Sequence, residues 1–134
     1  MSLEIREIHA AGKSGPLNEE WFVVENTGDK PFSTAGCTVG LGKGGGRLRA
    51  VGTLDPGFMM APGERVRVVT GNPGKKVHGK PPETEGVKNY HLFQAEPILN
   101  GPGTVVALTL RQHEGARATF DPKAERGVTA RASE

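Results

Sequence analysis

The chain of 134 residues is poor in cysteine, in aromatic rings and in long apolar runs, and neither charge dominates it. A single cysteine, Cys37, excludes an intramolecular disulfide and fits a reducing compartment. Seventeen basic against fifteen acidic side chains leave a formal charge of +2. That balance falls short of the basic excess usual in nucleic-acid binders. No run approaches the roughly 18 apolar residues of a membrane-spanning helix. Residues 1–7 carry no apolar core of signal-peptide length, so a cytoplasmic protein is the expectation. Only Tyr90 and Phe93 lie near the basic residues as rings on which bases could stack.

Turn formers are abundant. Glycine (20) and proline (10) together hold 30 of the positions and fall between short apolar runs without a period. Short runs punctuated in this way predict an all-β protein. Residues 3–9 alternate imperfectly: Leu3 and Ile5 share a face, but Ile8 stands one place beyond the strict period. This predicts a first strand with a bulge, or a charged edge strand. Residues 20–26 hold the largest apolar area, Trp21-Phe22-Val23-Val24. They predict a central strand with Trp21 as core anchor and Val23 on the same face. The turn after it offers Gly28 for positive φ and Asp29 for local side-chain bonding.

Further along, Cys37, Val39 and Leu41 share one face of a strand over residues 36–41. Residues 47–54 form the next strand, with Leu48 inward. Ala61-Pro62-Gly63-Glu64 is a tight turn leading into Arg65-Val66-Arg67-Val68-Val69-Thr70, a half-buried strand with its arginines on a solvated face. Across residues 71–90 the pattern dissolves into a long insertion, a length that is often functional. A short strand over residues 91–95 follows, then one over 104–110 with Val106, Leu108 and Leu110 in line. His113-Glu114-Gly115 makes a turn, and Ala116, Ala118 and Phe120 alternate in the last strand. A single domain over residues 1–122 with a polar tail over 123–134 is expected. Seven to nine mostly antiparallel strands lie within the range of an immunoglobulin-like β-sandwich.

In order and spacing these pieces resemble the lamin-tail domain, found at the end of nuclear lamins and in many bacterial proteins. The resemblance is carried by Ile5-Arg6-Glu7-Ile8, by Glu20-Trp21-Phe22-Val23-Val24-Glu25-Asn26-Thr27-Gly28 and by Phe32-Ser33-Thr34-Ala35-Gly36-Cys37-Thr38-Val39. It continues through Leu54, Ala61-Pro62-Gly63-Glu64-Arg65-Val66-Arg67-Val68, Leu99-Asn100-Gly101, Thr104-Val105-Val106-Ala107-Leu108 and the hairpin ending at Asp121. It spans residues 3–122. Cys37 stands where the family usually has an aromatic residue, and the insertion over 71–90 is longer and more basic than usual. The family has no catalytic residues to transfer, so the resemblance implies a binding or architectural role.

No catalytic constellation opposes that reading. His9, His78, His91 and His113 lack paired metal-ligand spacing, and no metal or cofactor is expected. Gly42-Lys43-Gly44-Gly45-Gly46 lacks the Gly-Lys-Ser/Thr ending and following helix of a phosphate loop. The inward alternation of Cys37 marks it as a core residue rather than a nucleophile. Glu19, Glu20 and Asp29 read as solvated turn acids. The expectation is a non-enzymatic interaction or structural module, binding protein or self-associating through strand edges or loops, with no small-molecule substrate. Its working surface is placed first on Lys75, Lys76 and Lys80, and second on Lys43, Arg47 and Arg49 of the preceding hairpin. These six cations also define the alternative, an adaptor for nucleic acid or an anionic surface.

Overall fold

The computed structural model describes residues 3–10, 16–43, 47–54, 57–72, 74–80, 82–84, 86–94, 98–99, 103–110, 113–124 and 126–128. Its strands are β1 (Leu3–His9), β2 (Trp21–Asn26), β3 (Phe32–Ser33), β4 (Thr38–Lys43), β5 (Arg49–Thr53), β6 (Met59–Met60), β7 (Arg65–Val69), β8 (Lys88–His91), β9 (Thr104–Leu110) and β10 (His113–Thr119). The all-β expectation holds. Ten strands are described rather than seven to nine, two of them being the two-residue ribbon β3–β6.

Two four-stranded sheets carry the fold, in the orders β1-β2-β7-β8 and β10-β9-β4-β5. All neighbours are antiparallel except β7 and β8. Both sheets feed one core. Ile5, Ile8, Phe22, Val24, Val66 and Val68 come from the first sheet, and Val39, Leu41, Val106, Leu108 and Ala116 from the second. Both readings offered for β1 hold: it bulges between Ile5 and Glu7, and it is an edge strand of its sheet. The bulge explains how two isoleucines three residues apart reach the same interior, since the extra residue restores the period. Cys37 is fully buried beside Val39, just before β4 rather than within it.

Trp21 departs from expectation. With Phe22 and Val24 directed into the core, alternation turns Trp21, Val23 and Glu25 onto the outer face of the first sheet. There the His9 ring stacks on Trp21 with centroids 4.9 Å apart and planes 11° from parallel, and the Arg67 guanidinium lies 4.8 Å from the Trp21 ring centre. The core anchor is its neighbour Phe22, 1 % exposed. Leu48 is likewise not inward: it is half-buried and packs where side chains on Gly40 and Gly42 would point, on the face opposite Val39 and Leu41.

The turn after β2 is organised by Asn26 rather than by a positive φ at Gly28. The buried Asn26 amide accepts from Gly28 N–H at 3.0 Å and donates to the carbonyls of Lys30 (2.9 Å) and Met60 (3.0 Å). The turn at Ala61-Pro62-Gly63-Glu64 forms as expected. Gly63 adopts φ +80°, and the Glu64 carboxylate accepts from Ala61 N–H at 2.8 Å.

The described residues of the 71–90 stretch hold more structure than the pattern suggests. A 3-10 turn at Lys76–His78 buries His78, whose Nδ1 accepts from Asn72 N–H at 2.9 Å. Asn18, in the 3-10 turn Leu17–Glu19, donates to the carbonyls of Asn72 (3.1 Å) and Gly79 (2.7 Å). The stretch ends in β8, so the short strand lies at Lys88–His91 rather than over 91–95, of which 95 is outside the described residues. His113 to Gly115 begin β10 instead of forming a turn.

The body also continues past residue 122. Ile8 N–H donates to the Arg126 carbonyl at 2.9 Å, Phe120 bridges to Val128, and Val128 packs on the core. Gly127 takes φ +76°, and any side chain there would collide with the Ile8 carbonyl. Of the stretch expected as a polar tail, residues 126–128 thus lie on the body, over the seam where β1 meets β10. Residues 129–134 lie outside the described residues.

Candidate interaction site

The two flanks of the molecule differ. On one, β1 and β10 come together and residues 126–128 lie across β1. On the other, the sheets end in β5 and β8, and between these two edges runs a groove of about 420 Å³. Gly52 and Thr53 form one wall and residues 89–93 the other. That volume is within the range of roughly 300–1,000 Å³ found for ligand pockets.

Backbone direction makes this groove chemically specific. Leu92 N–H donates to the Val69 carbonyl at 2.8 Å, and the parallel register pairs Arg67 with Asn89 and Val69 with His91. In such a ladder residues 88, 90 and 92 address β7, so the N–H and C=O groups of Asn89 and His91 face the opposite way. Across the groove, Leu54 N–H donates to the Cys37 carbonyl at 2.7 Å and the Leu54 carbonyl accepts from Gly36 at 3.0 Å. Leu54 therefore faces β4, and alternation turns the backbone of Thr53 outward. Each edge thus turns backbone donors and acceptors away from its own sheet.

Side chains complete the site. Tyr90 and Leu92 pack against the core, and Tyr90 meets Phe58 with ring centroids 5.0 Å apart. Phe93 ends the wall, 63 % exposed, with φ +53°. The left-handed region is unusual for a bulky residue, and exposure of the ring adds a second cost. His91 Nδ1 lies 3.3 Å from the Gly71 carbonyl. Burial pushes the His91 imidazole below its ordinary value, and the hydrogen bond to Gly71 only partly opposes this.

Behind β8, the expected solvated face of β7 holds for Arg65 but not for Arg67, which is 5 % exposed. Arg67 donates to Asn89 Oδ1 (3.0 Å), Thr84 Oγ1 (2.6 Å) and the Pro82 carbonyl (3.4 Å), and Asn89 Nδ2 donates to the same carbonyl at 2.7 Å. Residues 82–84 thus form a strap over Arg67, tied to β8. Burial holds the Arg67 guanidinium below its ordinary value, with the charge of Glu7 opposing.

Glu20, read as a solvated turn acid, is 1 % exposed. Its Oε1 accepts from Thr70 Oγ1 (2.8 Å), Ile98 N–H (2.7 Å) and Leu99 N–H (3.1 Å), while Oε2 is buried without a partner. It is a buried bracket holding residues 98–99 against the start of β2. On the outer face Glu25 lies between Arg65 (2.6 Å) and Arg6 (3.3 Å). Burial alone would raise its pKa, but the bond to Arg65 and the charge of Arg6 outweigh it and hold the carboxyl below its ordinary value.

The six cations named from sequence are split between two places. Lys75, Lys76 and Lys80 are exposed on the connection from β7 to β8. Lys43 ends β4, where its Nζ donates to Thr104 Oγ1 at 2.9 Å, and Arg47 and Arg49 are exposed at the start of β5. None of the six lines the groove. The Gly44-Gly45-Gly46 connection lies outside the described residues. Among the described residues no three His, Cys, Asp or Glu side chains gather as a metal site, and no helix is long and apolar enough to cross a membrane. Burial pushes the Cys37 thiol up, away from the thiolate form.

No protein-family model matches the chain, and no curated protein matches its sequence.

Proposed function

We propose that this chain is a non-enzymatic interaction module of the lamin-tail type, an immunoglobulin-like β-sandwich that binds protein at its open flank. The single observation behind this reading is the groove bounded by two outward-facing strand edges, β5 and β8. Strand edges recognise other chains through backbone hydrogen bonds, and a rigid scaffold beneath them keeps the ordering cost low. The exposed Phe93 beside the edge supplies an apolar contact of the kind that dominates protein interfaces. The ordered sequence pieces from Ile5 to Asp121 support the lamin-tail assignment.

The test combines light scattering over a concentration series with saturation binding to proteins captured by the immobilised chain, at two salt concentrations. The expected result is either a concentration-dependent oligomer or a saturable protein partner, with affinity little changed by salt. A strict monomer with no saturable protein partner rejects the proposal. If nucleic acid binds instead, with affinity falling steeply as salt rises, the exposed Lys75, Lys76 and Lys80 become the working surface.

A further inference from the structure

We infer that His78 is a pH-operated latch: its neutral imidazole holds the turn over residues 74–79 closed, and acidification releases that turn. The latch is independent of the protein-binding reading above. It centres on one peptide unit, the link from Gly71 to Asn72. The Asn72 N–H of that unit donates to His78 Nδ1 at 2.9 Å. The Gly71 carbonyl of the same unit accepts from His91 Nδ1 at 3.3 Å. These roles fix the tautomer of each ring: Nδ1 carries a proton in His91 and none in His78. The two histidines therefore respond to acid in different ways. A protonated His91 still donates to Gly71. A protonated His78 has no lone pair at Nδ1 and no longer accepts from Asn72.

Backbone bonds close the turn around this contact. The Asn72 carbonyl accepts from Lys75 N–H (3.2 Å), the Lys75 carbonyl from His78 N–H (3.1 Å) and the Lys76 carbonyl from Gly79 N–H (3.0 Å). His78 is 8 % exposed, so water does not readily replace it as acceptor, whereas Lys75, Lys76 and Val77 are exposed. The charged groups around the latch are Lys75, Lys76 and Lys80 on its own stretch and two acids from the 3-10 turn packed against it. Of these acids Glu19 is exposed, and Glu20 is buried on Thr70, Ile98 and Leu99. Among the described residues no carboxylate forms a salt bridge with His78 or His91. Asn18 grips the carbonyls of Asn72 and Gly79 through bonds that do not titrate, so release is confined to the turn between them. The closed turn holds one proton fewer than the open one, in which a free imidazole titrates near about 6.5. Acid thus favours opening, by up to about thirtyfold at pH 5.0 relative to pH 7.5.

Amide hydrogen exchange of the intact chain at pH 7.5 and 5.0 tests the latch, each rate being compared with that of an unstructured amide at the same pH. Protection at Asn72, Lys75, His78 and Gly79 is expected to fall at least tenfold at pH 5.0, while amides of β2 and β9 keep theirs. His78→Asn puts an acceptor that does not titrate in place of Nδ1, and it is expected to abolish the fall. His91→Asn retains a donor and is expected to leave the fall in place. Titration of the His78 ring in the wild-type chain, followed by NMR, is expected to share the midpoint of the fall. Equal protection at the two pH values overturns the inference, as does a fall shared by β2 and β9. So does a folded His78→Asn variant that keeps the fall, or a folded His91→Asn variant that lacks it. Where a variant does not fold, the wild-type midpoint decides: a fall at a pH where the His78 ring does not titrate rejects the latch, and a shared midpoint supports it.

Discussion

At the scale of single residues, neighbours in β2 have opposite duties. Phe22 is in the core, and its truncation to alanine is expected to cost about 3–5 kcal/mol. Trp21 is half-buried between His9 and Arg67, so Trp21→Ala is expected to cost clearly less, about 1–2 kcal/mol, in chemical denaturation. A larger cost for Trp21 than for Phe22 would contradict the assignment of faces. Glu20 offers a finer comparison. Glu20→Gln keeps the oxygen that accepts three bonds and alters only the unpartnered Oε2, so its melting temperature is expected to stay near wild type. Glu20→Ala strands those donors, and a loss of roughly 2–4 kcal/mol is expected. Glu25 gives a dependence on pH. Its folded pKa is depressed, so its contribution is complete above the ordinary glutamate value and fades as pH falls below about 4.3. Melts of wild type and Glu25→Gln are expected to differ at pH 6 and to converge near pH 3.

At the scale of elements, Asn18 holds the connection from β7 to β8 at Asn72 and Gly79, and Arg67 holds it beneath residues 82–84. Arg67→Met keeps an apolar stem against Trp21 while removing the bonds to Thr84, Asn89 and Pro82. The acceptors left behind are on exposed or half-buried residues that water can reach, so global stability is expected to fall only by about 1–2 kcal/mol. The strap itself loses its tether. Cleavage after the exposed Glu83 by a glutamate-specific protease is expected to speed up in Arg67→Met, with cleavage elsewhere unchanged. Unchanged cleavage at Glu83 would show that the strap does not depend on Arg67. The alternation of arginine and valine in β7 was legible as a strand, yet it could not reveal this cover. Period fixes which way a side chain points, and only distant residues determine what lies on top of it.

At the scale of the whole molecule, residues 126–128 close the flank where β1 meets β10. Truncation after Pro122 removes the Arg126 carbonyl from Ile8 and Val128 from the core. A loss of about 1–3 kcal/mol is expected in thermal or urea unfolding, and a truncated chain as stable as wild type would show that residues 126–128 do not close that seam.

The sequence by itself determined the all-β class, the irregular alternation of β1, the turn at Gly63 and most of the core. Each of these follows from local rules of alternation, volume and turn chemistry. It did not determine which face of β2 is inside. With four apolar residues in succession, either alternate pair serves locally, and the choice belongs to the strands packed opposite. Nor did it reveal that Glu20 and Arg67 are buried, since a polar side chain enters the interior only where distant partners satisfy it: Thr70, Ile98 and Leu99 for the one, Pro82, Thr84 and Asn89 for the other. Exposed cations are conspicuous in a sequence, which is why Lys75, Lys76 and Lys80 drew the first assignment of a working surface. A strand edge is made of backbone that every residue carries, so the groove between Thr53 and His91 has no signature in composition or spacing. Only the pairing order of the two sheets puts β5 and β8 at sheet ends beside that groove, with β1 and β10 at the other ends.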